Sequence, residues 1–90
     1  MKTFKDLIFE NYFILYPKAK KAREFFDNDF GISVLFGDIF NSNGIDNYEI
    51  CVLLFGNPYY KIKIPNNGSG VFAEQISEFM IKLQKIKWKI

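Results

Sequence analysis

From Ile32 to Ile64 the apolar residues fall at every second position in three short runs separated by turn-forming clusters, a pattern that restricts this part of the chain to an antiparallel meander. In the first run Ile32, Val34 and Phe36 alternate with Ser33, Leu35 and Gly37, which predicts a strand with room to continue to Phe40. Asn41-Ser42-Asn43-Gly44 stops it. Tyr48, Ile50, Val52 and Leu54 alternate with Glu49, Cys51, Leu53 and Phe55 in a second strand, and Gly56-Asn57-Pro58 turns the chain into a third, with Tyr60, Ile62 and Ile64 on one side and Tyr59, Lys61 and Lys63 on the other.

The flanking segments read as helices. Thr3 and Asp6 have the spacing of a capping box, and Phe4, Leu7, Ile8, Tyr12 and Leu15 recur at helical spacing, so a first helix is expected from about Thr3 to Leu15. Phe9, Phe13 and Tyr16 widen its apolar face. Pro17 disfavours helix at Tyr16 but suits the first position of a second helix, Pro17 to about Asp27, with Ala19, Ala22 and Phe26 inward and the basic residues outward. After the loop Asn66-Asn67-Gly68-Ser69-Gly70, with Ser69 as N-cap, Phe72, Ile76, Phe79, Met80, Leu83 and Ile86 predict a last helix ending in lysines. The expectation is one α+β domain over residues 1–90: two N-terminal helices broken near Pro17, a three-stranded meander and a C-terminal helix.

A chain of 90 residues buries only somewhat more than about 60% of its unfolded surface, so its apolar residues must supply the stability; eleven Phe and five Tyr are the largest of them. No apolar run approaches the roughly 18 residues of a membrane helix, and Lys2, Lys5, Asp6 and Glu10 interrupt any leader-like stretch, so a cytoplasmic location is expected. The lone Cys51, inside Ile50-Cys51-Val52-Leu53-Leu54, has no internal disulfide partner and reads as a small buried hydrophobe.

Catalytic chemistry finds little to work with. Histidine is absent, which removes the commonest general base and metal ligand, and Cys51 has no base beside it. Asp27-Asn28-Asp29 lacks the remaining ligands of a calcium loop, and Gly68-Ser69-Gly70 has no Lys or Arg in the following ten residues to help hold an anion. Neither enzyme activity nor a cofactor is expected.

The charges are segregated. Phe25 to Gly56 carries five acids (Asp27, Asp29, Asp38, Asp46 and Glu49) and no base, a candidate contact surface for a basic protein partner. Lys18, Lys20, Lys21 and Arg23 on the second helix, with Tyr59, Lys61 and Lys63 on the third strand, form the alternative, a nucleic-acid surface to which Lys82, Lys85, Lys87, Trp88 and Lys89 add a basic, aromatic end. If all helices cover one sheet face, Leu35, Cys51, Leu53 and Phe55 are left as an apolar interface on the other, for a partner or a homodimer; if the N-terminal helices and the last helix take opposite faces, these residues are core.

The order helix, three strands, helix over Pro17 to Trp88 is similar to the double-stranded RNA-binding domain, and that resemblance implies a nucleic-acid-binding module. Where that family grips phosphates with lysines at the start of the last helix, this chain has Val71-Phe72-Ala73-Glu74-Gln75, with one acid and no base. In size and in its richness in Lys, Ile, Asn and Phe the chain also resembles the small inhibitors of phages and mobile elements, including anti-CRISPR and immunity proteins. The preferred expectation is a non-enzymatic protein-binding inhibitor or regulator.

Overall fold

Two of the alternating runs form the centre of the sheet. The structure, a computed structural model describing residues 1–87, places β3 at Phe30–Phe36 and β4 at Asn47–Leu54, paired antiparallel through Ile32↔Val52 and Val34↔Ile50. Their even-numbered residues point to one side, where Ile32, Val34, Ile50 and Val52 are almost fully buried. The C-terminal helix α1 (Ala73–Gln84) lies over that side and adds Ile76, Phe79, Met80 and Leu83. Its first turn is held by Phe72, whose N–H donates to the Gln75 side chain at 3.0 Å; Ser69 lies outside the helix.

The N-terminal third corrects the sequence expectation. No helices stand at Thr3 to Leu15 or at Pro17 to Asp27. The chain makes a 3-10 turn at Phe4–Asp6, then β1 (Glu10–Phe13) and β2 (Tyr16–Phe25), an antiparallel hairpin whose long arm pairs with β3 from Lys20↔Phe36 to Phe25↔Gly31. Nine of the thirteen residues from Phe4 to Tyr16 are apolar and fit either period, and β3 has a free edge that β2 satisfies. That long-range pairing overrides the helix propensity of the Lys-Ala stretch. The likeness to the double-stranded RNA-binding domain falls with the missing helix.

The third strand is also shorter than expected. Only Asn57–Pro58 pairs with β4, as β5, and Val71–Phe72, as β6, pairs with the other end of the same β4 edge. Between them Tyr59 donates to the Val52 carbonyl at 2.9 Å, while a 3-10 turn at Pro65–Gly68 presses against Ile50; a β-carbon on Gly68 would stand 2.5 Å from the Ile50 carbonyl oxygen. The turn therefore occupies the edge that Lys61 to Ile64 would need. Ile62 and Ile64 still pack on the core, but from an irregular segment.

Two side-chain amides tie the ends of the chain to this frame. Asn28, in the β2–β3 turn, donates to the carbonyls of Leu83 (2.7 Å) and Ile86 (2.9 Å), taking up acceptors at the end of α1. Gln84 exchanges two hydrogen bonds with the Lys2 backbone (2.7 and 3.0 Å), and Phe4 N–H donates to Ser77 Oγ. With Lys2 also paired to Glu24, the N-terminal segment is pinned on the helix side, where Phe4, Phe9 and Phe36 surround the Tyr48 ring.

Candidate functional site

With α1 and the N-terminal segment on one side, no helix among the described residues covers the other side of the sheet. Strand alternation and register order that side into rows. Phe25, Gly31, Leu53 and Pro58 make one row, Arg23, Ser33 and Cys51 the next, and Glu10, Lys21, Leu35 and Glu49 a third. The first is closed: Leu53 is buried, and the Phe25 ring lies over Gly31, where a β-carbon would stand 2.9 Å from Phe25 Cδ1.

Over the other two rows the hairpin shapes a cleft of about 480 Å³, lined by the polar Glu10, Lys21, Arg23 and Ser33 and the apolar Ile8, Tyr12 and Leu35. Tyr12 stands edge-on to Phe40 of the β3–β4 loop, with ring centroids 4.8 Å apart. Glu10 approaches Lys21 only to 3.8 Å, both side chains facing solvent, so the pair contributes little. Among the described residues no carboxylate lies within 4 Å of Arg23. Burial pushes the Cys51 thiol above its ordinary pKa and Glu49 adds to the rise, while Arg23 and a backbone hydrogen bond at Tyr59 oppose it, so the site disfavours the thiolate.

Next to the cleft, the hairpin projects. Tyr16–Ala19 has no partner on β3, and Phe13↔Tyr16 closes the hairpin through a two-residue loop, Ile14-Leu15. Ile14 is 85% and Leu15 75% exposed, with Phe13 and Tyr16 half exposed on either side. Two-residue hairpin loops favour Asn-Gly or a glycine with positive φ; neither tip residue has positive φ, so local turn chemistry does not account for Ile-Leu.

The expected site residues are redistributed. Asp27 and Asp29 sit in the β2–β3 turn, while Asp38 and Asp46 sit in the β3–β4 loop, at opposite ends of a seven-residue strand roughly 20 Å long. Glu49 accepts from Asn41 N–H at 2.9 Å, and Asp46 accepts from the Asn43 amide. The acidic block is therefore not one surface. Of the basic set, the expected shared helix face does not exist: β2 sends Lys21 and Arg23 to the helix-free side and Lys18 and Lys20 to the other, while Lys61 and Lys63 are exposed on the irregular segment. Trp88 and Lys89 lie outside the described residues. Leu35 and Cys51 are half-buried on the helix-free side with Leu53, and Phe55 is exposed in the β4–β5 turn. The sequence reading missed the hairpin tip, because its residues had been placed on the first helix.

Among the described residues no group of three or more His, Cys, Asp or Glu side chains could hold a metal ion, and no helix is long and apolar enough to cross a membrane. Comparison with protein-family models, curated proteins and solved structures found no match to the chain.

Proposed function

We propose that this chain is a non-enzymatic regulator or inhibitor that binds another protein through the β1–β2 hairpin. The observation that carries the reading is the apolar tip, Phe13-Ile14-Leu15-Tyr16, held beyond the end of β3 and open to solvent. Contiguous apolar surface of this kind marks an interface, and covering one large side chain contributes about 1.5–3 kcal/mol. An aliphatic pair flanked by aromatic rings suits a protein pocket. Nucleic acid is the weaker reading, since the lysines that would grip phosphates point to different sides of the molecule. The fold gives no support to the resemblance to phage and anti-CRISPR inhibitors.

The test compares tagged wild-type protein with an Ile14→Asp/Leu15→Asp variant, each incubated with nuclease-treated lysate of the source cells and read by quantitative mass spectrometry. A protein recovered by the wild type and depleted about tenfold or more with the variant, at unchanged melting temperature, supports the reading. Equal recovery by both overturns it, as does recovery that depends on omitting the nuclease. A monomer–dimer difference between the two in sedimentation would put a second copy of the chain in the partner's place.

A further inference from the structure

Building on the protein-binding reading, we infer that the cleft beside the hairpin receives an acidic segment of the partner, in which a carboxylate side chain is flanked by apolar ones. Lys21 and Arg23 are two residues apart on one face of β2, so their side chains leave the sheet in parallel, roughly 7 Å apart at their origins. Arg23 has no carboxylate within 4 Å among the described residues, and Lys21 has only the loose approach of Glu10. A guanidinium can take a carboxylate through two parallel N–H donors, and the Ser33 hydroxyl lies across from Arg23 in the same row. Ile8, Leu35 and Tyr12 line the same cleft, with Glu10 beside Lys21, and a bare anion would leave these apolar side chains uncovered where a peptide's neighbouring side chains would cover them.

The same geometry disfavours a nucleic-acid strand. A phosphate backbone needs a track of cations, whereas here two cations stand in a row system bounded by Glu10 on one side and Glu49 on the other. Lys18 and Lys20 leave β2 on the opposite face. A single carboxylate can take Arg23 and compete with the loose 3.8 Å approach of Glu10 to Lys21, whereas a chain of phosphates would run along both glutamates.

The experiment uses an array of eight-residue peptides with Asp or Glu between apolar residues, a matched array with Asn or Gln in their place, and a single-stranded oligonucleotide of twenty bases. These are probed with wild-type protein, Lys21→Glu/Arg23→Glu, the milder Lys21→Gln/Arg23→Gln, and the hairpin-tip variant. The expected result is retention of acidic peptides about tenfold or more above their amide counterparts, weakening with added salt, abolished by both cleft variants and kept by the tip variant. Equal retention of acid and amide peptides, no retention by the wild type, or oligonucleotide binding that the cleft variants remove would overturn the inference. If the cellular partner is lost with the tip variant but kept by the cleft variants, the acidic-segment assignment fails and protein binding by the hairpin stands. If both sets keep the partner, both fail.

Discussion

Truncating Leu53 to alanine tests whether the helix-free side of the sheet is partly packed or is simple solvent-facing surface. Leu53 is 2% exposed, yet it lies outside the cluster formed between sheet and helix, in the row with Phe25, Gly31 and Pro58. Leu→Ala removes three carbons, about 2.4 kcal/mol at 0.8 kcal/mol per buried methylene. The cavity contribution depends on collapse, and Phe25, half exposed beside Gly31, is free to settle inward, so a total of about 2–3 kcal/mol is expected. Leu83→Ala, between helix and sheet, has no such relief and should cost about 3–5 kcal/mol. With a urea m-value near 1 kcal/mol/M for a chain of this size, the Leu53→Ala midpoint falls by about 2–3 M relative to wild type. Within the usual stability range for 90 residues, about 5–13 kcal/mol, Leu53→Ala remains folded throughout, whereas Leu83→Ala is largely folded only where the wild type exceeds about 6 kcal/mol. A Leu53→Ala cost below about 0.5 kcal/mol would show that the residue is solvated and that the row does not pack.

Three further outcomes are expected. Gly68→Ala should cost about 2–4 kcal/mol in thermal melts, because Gly68 has φ +84 and its β-carbon would meet Ile50; Gly56→Ala, with φ +80 and nothing within 4 Å, should cost only about 1 kcal/mol. Asn28→Ala removes both donations to the end of α1 and the acceptor of the Phe30 N–H, and should cost about 1–2 kcal/mol, with faster amide exchange in the last turn of the helix and at Phe30. Burial is the main cause that raises Cys51 and Tyr48, with Glu49 and Asp46 adding to it, so the unfolded chain loses these protons first. The contribution of these two groups to stability should then be constant below the ordinary thiol range and fall as pH rises through the alkaline range; Cys51→Ala with Tyr48→Phe should reduce that fall in urea midpoints measured against pH.

The elements legible in the sequence are those whose pattern is local and unambiguous. Tyr48, Ile50, Val52 and Leu54 fit only a period of two, and Ile76, Phe79, Met80 and Leu83 only a helix, so β4 and α1 follow from composition and order. Phe4 to Tyr16 carries apolar residues at both periods, and Pro17 to Glu24 combines good helix formers with two alanines that end on opposite faces of a strand. What selects a strand there is the open edge of β3, more than ten residues away along much of its register. The cleft was hidden for the same reason. Lys21 and Arg23 could be named as basic residues, but their place beside Ser33, Leu35 and Tyr12 exists only once β1, β2 and β3 are in register.

The described residues cover the two faces of the sheet unequally. One helix and a pinned N-terminal segment close a single face, and a second layer would need further amphipathic structure. A free second face is stable in water when its apolar residues are sparse or shielded, and here Leu53 is shielded while Leu35 and Cys51 alternate with Lys21, Arg23, Ser33 and Glu49. That mixture keeps the face soluble and leaves cations beside apolar wall. The hairpin tip does not follow this rule: Ile14 and Leu15 are neither shielded nor interleaved with charge, and they are not needed for the turn. The two neighbouring parts of this surface therefore differ in what they present to water, an apolar tip at Ile14-Leu15 and a cleft in which Lys21 and Arg23 stand among apolar side chains, and the two sets of variants perturb them separately.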